Sequence, residues 1–544
     1  MFETKPYGMM EFSLTTGHVF KNPFWDVQVT ARFSQGEVVQ EAEAFYDGEN
    51  GDGRHVWKVR WTPPKAGEWR CEVRSVPVTE GLTGSFSFHA EPGRNARGFL
   101  RAVSGRGWGL HFDNGEPLLV VGDTMYNLFG AEYCGVATET LLRHRQAQGV
   151  NYIRARAHVS AYHPEIRNAW QTKDTWPWGG SAQWPDFTRF RLDYFRAVDR
   201  VMDTMARLGL GVEMIMEAWM LEFPFNDRHR FLPEFEEHWI RYLISRYSAY
   251  PSLYIWCPAN EYEFYPGSVA YHPEADRWFK RICRLIKTYD PVRHPIGAHN
   301  WEQKIPLSER LGDCADLDVY LVQSAWLNEM LGNDLPPSYC LEIESQLKHH
   351  APHRDKPVIC AEFGYEGVDG LDTVAIHSRI DHHHTRRGQW KAGFSGCHVV
   401  HGFNNTWGPH MTLEKDAKGA AYIAPFVRFM TELASFDALA PANDLLEIEG
   451  GHDPKRSTPL CLADADRAVI AVYFPTAGQC SFMVDVSGFD GIWYDPRTGE
   501  MFPAAVAQDG RFVTPPAATE DPLDDDWALL LRRRVSGEHV AEQR

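Results

Sequence analysis

The stretch "SLYIWCPANEYEF", residues 252–264, decides how the rest of the chain reads. Leu253, Tyr254, Ile255, Trp256 and Cys257 form a short run of strand formers that stops at Pro258 and delivers an Asn260-Glu261 pair into a loop. A second run, "KPVICAEFGYEG" at 356–367, repeats the pattern: Val358, Ile359 and Cys360 end in Glu362, with Gly364 two residues on. Two strands, each ending in a glutamate, lie about a hundred residues apart.

Outward from these runs, strand and helix patterns alternate from about 97 to 437. "PLLVVGDT" precedes "TETLLRHRQAQG", "VNYIRARAHV" precedes "RLDYFRAVDRVMDTMARLG", "LGVEMIMEA" precedes "LPEFEEHWIRYLISRYSAY", and "SLYIWCPAN" precedes "PEADRWFKRICRLIKTYD". "RHPIGAHN", "ADLDVYLVQS", "KPVICAEF" and "FSGCHVVHGF" supply four more strands. Helical segments are expected near 336–350, 372–392 and 419–435, with only a weak helix between strands five and six. Eight strands alternating with helices predict a (β/α)8 TIM barrel, and no G-x-G-x-x-G follows the first strand to suggest a dinucleotide fold. Residues 1–91 read as an N-terminal β-sandwich, with alternation at Val27, Val29, Ala31 and Phe33 and turns at "YDGENGDG" and "PPKAGEW". Strand signals return over 438–535 as a C-terminal β-sandwich, and 536–544 form a polar tail. The fold class is therefore multidomain, a central barrel flanked by two β modules.

At 544 residues the chain exceeds one core, and 44% hydrophobic with 24% charged residues is a globular balance. A formal charge of -18 argues against nucleic acid or an anionic membrane as partner. Nineteen tryptophans, within 13% aromatics, suit sugar rings as well as cores. "MFETKPYGMMEF" shows no secretory signal, no run of about 18 apolar residues is found, and the ten cysteines include no C-x-x-C pair. A cytoplasmic protein with buried free thiols is the expectation, and a homo-oligomer is compatible with it.

Strand C-terminal ends share one face of a barrel, where its chemistry is placed. Glu261 and Glu362, ending strands four and seven, can then face each other across the mouth, as glycoside hydrolysis requires of a carboxyl pair. A separation of roughly 5 Å would imply retention through a covalent intermediate. Arg154, at the end of strand two, is a candidate to hold Glu362 ionised, and Trp256, Tyr262 and Phe264 suggest desolvation of Glu261. Asp123, His299, Trp301, Tyr320 and Gln323 sit where substrate-binding residues are expected, and Glu217 and Glu366 are alternative carboxylates if the strand register differs. "DHHHTRRGQW", 381–390, reads as a solvated helix rather than a metal site, because adjacent helical histidines diverge by about 100°. Its "HTRR", like "LRRRV" near the end, reads as surface charge. The loop "WQTKDTWPWGGSAQWPDF", 170–187, is either a wall of sugar subsites or a hydrophobic plug on the rim. No metal or cofactor is expected.

Asn260-Glu261 and Glu362 resemble the acid/base and nucleophile of clan A retaining glycoside hydrolases. "LLVVGDTMYNLF", "VNYIRARAHV", "KPVICAEFGYEG" and "YDPRTG...DDDWALLL" resemble the glycosidase-like barrel family that includes apiosidases, and "NPFWDVQVTARF...EAFYDG...WKVRWTPPKAGEWRCEV" resembles the β-sandwich often placed before such barrels. The resemblance implies that Glu362 is the nucleophile, Glu261 the general acid/base, and an oligosaccharide or glycoside the substrate. Asn260 could bond the sugar 2-hydroxyl. The clan often has an aromatic at the end of strand eight; here His401 holds that place, and Trp407, a further candidate for substrate binding, comes later. A non-catalytic carbohydrate-binding or scaffold protein with a degenerate barrel is the alternative.

Overall fold

The computed structural model describes residues 3–4, 8–91, 97–104, 108–159, 170–267, 269–301, 305–323, 356–372, 380–408, 410–448, 451, 458–507, 510–516, 519–521 and 523–534. Eight parallel strands form the central sheet: β1 (Val121–Thr124), β2 (Tyr152–Arg156), β3 (Gly211–Glu217), β4 (Leu253–Ala259), β5 (Gly297–His299), β6 (Val319–Gln323), β7 (Val358–Glu362) and β8 (His398–His401). Their order is β4-β3-β2-β1-β8-β7-β6-β5, and a parallel bridge between Trp256 and Ile296 closes β4 onto β5. The TIM barrel expected from the alternating pattern is thus the observed fold. Tyr152, Ile215, Ile255, Cys257, Leu321 and Val400 fill its interior, alternating along each strand with residues that pack against the helices.

Local sequence explains the helices outside. In Leu192–Leu208, Tyr194, Phe195, Val198, Val201, Met202 and Met205 recur at helical spacing and are buried, and Gly209 ends the helix at φ 71°, a conformation glycine adopts freely. Pro233–Tyr247 and Pro273–Tyr289 each open with proline and two acidic residues in the first turn, where the exposed N–H groups favour negative charge. The weak helix between β5 and β6 is a short one, Leu307–Leu311. The expected helix near 336–350 lies outside the described residues. A hairpin of Leu100–Ala102 and Leu110–Phe112 packs Leu100, Leu110 and Phe112 into the barrel's lower end, opposite the mouth.

Before the barrel, two four-stranded sheets enclose Val29, Phe33, Trp57, Val59, Trp61 and Trp69, with Phe33 stacked on Trp61 at 4.2 Å. This sandwich joins the barrel through buried ions. Arg60 and the helical Arg246 both bind Asp199, at 2.9–3.0 Å and 2.7–3.0 Å, while Arg60 also holds Glu11 at 2.7 Å. After the barrel, a six-stranded and a three-stranded antiparallel sheet enclose Ile470, Val472, Leu529 and Leu531.

The histidine-rich helix departs from expectation. His382–Phe394 is buried from His383 onward rather than solvated, because the C-terminal sheets lie on it. Arg386 meets Asp526 at 2.9–3.2 Å, Arg387 meets Asp525 at 2.9 Å, and Trp390 stacks on Tyr473. Only the "LRRRV" arginines, 532–534, lie exposed as expected. The tryptophan-rich loop forms a rim plug: Trp170, Trp176 and Trp178 are buried and only Trp184 is exposed. Nine described cysteines are free, eight of them buried. Among the described residues, no helix is long and apolar enough to cross a membrane.

Candidate active site

Glu362 is the last residue of β7, and Glu261 lies two residues past β4 with φ 52°, a left-handed conformation that costs a non-glycine residue energy. The Glu261 backbone N–H donates to His299 Nδ1 at 3.2 Å, which fixes the turn. Both carboxyls are nearly buried and share one neighbour. Gln323 Nε2, from the end of β6, lies 3.1 Å from Glu362 Oε2 and 3.4 Å from Glu261 Oε1. These two oxygens are therefore no farther apart than the sum of those distances, 6.5 Å.

The two glutamates have unlike surroundings. Glu362 Oε1 accepts from Arg154 Nη1 at 2.7 Å and from the Tyr126 hydroxyl, with His299 Nε2 at 3.4 Å. Arg154 is itself fixed, donating to Glu213 at 3.0 Å, to Asn260 Oδ1 at 2.6 Å and to Tyr126 at 2.9 Å. His299 is held neutral by burial and by the cations Arg154 and Arg156. Its Nδ1 accepts from Glu261, so the proton sits on Nε2, facing Glu362. Around Glu261, the Trp219 indole donates to Oε2 at 2.5 Å, and half-buried Trp219, Phe264 and Trp301 line up at ring separations of 6.2 and 4.7 Å. Burial, and then the negative charge of Glu362, push the Glu261 carboxyl well above its ordinary range.

Of the residues singled out in the sequence, Arg154, Asn260, His299 and Gln323 thus meet at the glutamate pair. Trp301 flanks it, its N–H held by Glu263 at 3.2 Å, and Trp407 packs beside the Tyr126–Tyr365 pair. Asp123 and Tyr320 are corrections. Strand parity turns them outward: Gly122 and Leu321 take the interior positions, Asp123 binds Arg145 at 2.8 Å and Thr406 at 2.9 Å, and Tyr320 joins the layer between strands and helices. Burial raises Asp123 to about 6 although Arg145 opposes it. His401 also faces outward, bonding Gly122 and Gln389. Glu217 is tied to Arg228 at 2.7 Å, and Glu366 to Thr385 and the Gly419 N–H. Neither alternative carboxylate has a partner in common with the Glu261–Glu362 pair.

The apiosidase-like catalytic domain model matches residues 107–433, which contain every strand of the barrel and both glutamates. The chain belongs to the apiosidase-like family. As such it is a glycosidase. A domain of unknown function (DUF5060) matches residues 3–76 of this apiosidase-like protein. A Bacteroides vulgatus protein assigned to the glycoside hydrolases is similar at 16% identity, with TM-score 0.66 over 96% of this chain and 98% of that one. A glycoside hydrolase family 5 structure from the same organism is 15% identical, with TM-score 0.60 over 80% and 94% of the two chains. A further glycoside hydrolase is 16% identical, with TM-score 0.59 over 80% and 97%. These likenesses extend the shared fold beyond the barrel. A search of curated proteins finds no significant match.

Sequence reasoning missed Tyr126, Tyr365, Trp219 and Glu213 in the apiosidase-like site. A signal existed for Glu213, a charge two residues into the apolar strand "GVEMIME". Tyr126 and Tyr365 stand in quoted motifs, but only the loop geometry shows that their hydroxyls lie 3.0 Å apart beside Glu362.

Proposed function

We propose that this glycosidase acts with retention by double displacement, Glu362 attacking the anomeric carbon and Glu261 serving as general acid and then base. The observation that carries this reading is the Gln323 amide reaching both carboxyls. With each amide hydrogen serving one carboxylate, roughly 120° apart, the two oxygens lie about 5.6 Å from each other, close to the separation of retaining rather than inverting enzymes.

The surroundings support the division of roles. Arg154, Tyr126, His299 and Gln323 aim donors at Glu362, which suits an acceptor-only nucleophile that must be fixed in place. The raised pKa of Glu261 keeps a proton available for the leaving oxygen. Once Glu362 is esterified its negative charge is gone, which removes one of the causes that hold the Glu261 proton. Glu261 then becomes the base that activates water. Asn260 Oδ1 is turned onto Arg154, so its amide nitrogen is the end offered to a sugar hydroxyl. Trp219, Phe264 and Trp301 flank the acid/base and therefore the leaving group. The substrate is an oligosaccharide or glycoside, and the buried free cysteines fit a reducing cytoplasm.

The test is trapping with a panel of activated 2-deoxy-2-fluoro glycosides, followed by mapping of the labelled peptide. A label on Glu362 is expected. A label elsewhere would reassign the nucleophile, and no label together with no sugar release would remove the double-displacement reading.

A further inference from the structure

Arg154 and Glu213 are register partners on the neighbouring strands β2 and β3, and both side chains are fully buried. Arg154 sends each of its nitrogens to a different side of the site. Nε donates to Glu213 at 3.0 Å, Nη1 to Glu362 at 2.7 Å and to the Tyr126 hydroxyl at 2.9 Å, and Nη2 to Asn260 Oδ1 at 2.6 Å. One cation thus serves two carboxylates. Arg156, two residues on, stacks on the Tyr126 ring at 3.7 Å and is matched instead by Glu222 at 3.9 Å.

Glu213 has no exposed surface, so no substrate touches it. Its Oε1 accepts from Arg154, whose N–H groups only donate, and its Oε2 lies 2.9 Å from the Tyr152 hydroxyl. Burial and the Glu213 charge hold the Tyr152 proton far above the ordinary phenol range, so that hydroxyl is the donor. Burial also pushes the Glu213 carboxyl upward, but Arg154 and the Tyr152 bond oppose it, and two donors leave both oxygens as acceptors, the carboxylate form. Cys257, on β4, faces it as well and adds only a weak thiol donor.

A buried guanidinium left without a carboxylate is costly. Double displacement exposes Arg154 to that cost at every turnover. In glycosylation Glu362 bonds to the anomeric carbon, the bond to the leaving oxygen breaks, and the Glu261 proton goes to that oxygen. A neutral ester then stands beside Arg154. In deglycosylation the oxygen of water bonds to the anomeric carbon, its proton goes to Glu261, and the electron pair of the ester bond returns to Glu362. We infer that Glu213 is a positioning residue for this reaction, the permanent counter-ion that keeps Arg154 in place while Glu362 alternates between carboxylate and ester. The inference rests on the reading of Glu362 as nucleophile. By sharing the cation, Glu213 also tempers its pull on Glu362, since an unshared Arg154 would make that carboxylate a weaker nucleophile and a better leaving group.

Glu213→Gln keeps an acceptor for Arg154 Nε and removes the charge. With the activated 2-deoxy-2-fluoro glycoside that labels the parent, this variant is expected to be trapped about tenfold more slowly and to release the trapped sugar about tenfold faster. A merely structural role would slow both steps, so two rates that fall together, or that stay as in the parent, overturn the inference. Urea unfolding of Glu213→Gln, Glu362→Gln and the double variant gives a readout without activity. Each single variant leaves Arg154 one carboxylate and the double variant leaves none, so the double should unfold about tenfold more readily than the two single effects combined. Additive effects overturn the pairing. A crystal structure of the trapped parent needs no substitution: Arg154 Nε is expected within hydrogen-bond distance of Glu213, and its departure overturns the inference. Failure of the nucleophile reading shows separately, as a parent in which Glu362 takes no label while the unfolding cycle stays non-additive.

Discussion

In the proposed double displacement Glu261 gives up a proton in one half-reaction and takes one back in the next, and its burial beside Glu362 sets how tightly that proton is held. Glu261→Ala should lower turnover of glycosides with poor leaving groups by about 10² to 10⁴, yet spare glycosylation by activated aryl glycosides. With an aryl substrate, azide should restore deglycosylation and give a glycosyl azide of the substrate's own configuration. Product analysis checks this, and equal losses on both substrate types would remove Glu261 from the acid role. Activity toward poor leaving groups should fall as pH rises through the raised Glu261 pKa, and that alkaline limb should vanish in the alanine variant. Its neighbour Glu263 is raised to about 8 by burial. Between about 4.5 and 8 the folded chain holds a proton that the unfolded chain has released, so stability should decline with rising pH across that window. Melting temperatures at pH 5 and 9 should therefore differ less in Glu263→Gln than in the parent, and parallel curves would refute the linkage. The paired glutamates were legible because each stands at the end of a short strand run, beside Pro258 in one case and Gly364 in the other. Asp123 and Tyr320 were misplaced because a one-residue difference in strand parity sends a side chain to the opposite face.

The helix His382–Phe394 shows where an element's sequence misleads. Three histidines and two arginines in six residues have the polarity of a solvated surface, and its periodicity gives no contrary sign. What covers it is the acidic run Asp524–Asp526, about 140 residues away, and no local pattern pairs the two. Asp526 alone receives Arg386, Arg497 and the Tyr473 hydroxyl. Asp526→Ala should cost about 3–5 kcal/mol, since it strands buried guanidinium groups, and a urea unfolding midpoint measures it. A loss below about 1 kcal/mol would mean that the cluster behaves as exposed ion pairs do. Elements with strong periodicity, such as Leu192–Leu208, were legible from the sequence, because their burial is written in their own spacing.

Across the whole molecule, the barrel is held between two β modules by ions rather than by apolar area alone. Burial would raise the Asp199 carboxyl, but Arg246 and Arg60 outweigh it and hold the group well below its usual range. The sign follows: this contribution is present above the unfolded value, about 3.8, and is lost as pH falls below it. Asp199→Asn should therefore destabilise the seam by about 3–5 kcal/mol at neutral pH, and much less near pH 2. Hydrogen exchange in the strand His55–Trp61 reads the effect directly, and equal protection of parent and variant at pH 7 would refute it. The eight-strand order was legible from alternation alone, whereas the seams were not, because they join residues far apart in the chain. Enclosure of His382–Phe394 by the C-terminal sheets also bears on synthesis. At ~5 to 20 residues per second, the 140 residues between Arg386 and Asp526 take roughly 7 to 30 s to emerge. Once β8 has followed, the nascent barrel has all its strands for most of that interval but carries an uncovered face bearing Arg386, Arg387 and Trp390, so its last closure is timed by the ribosome and not by the barrel itself.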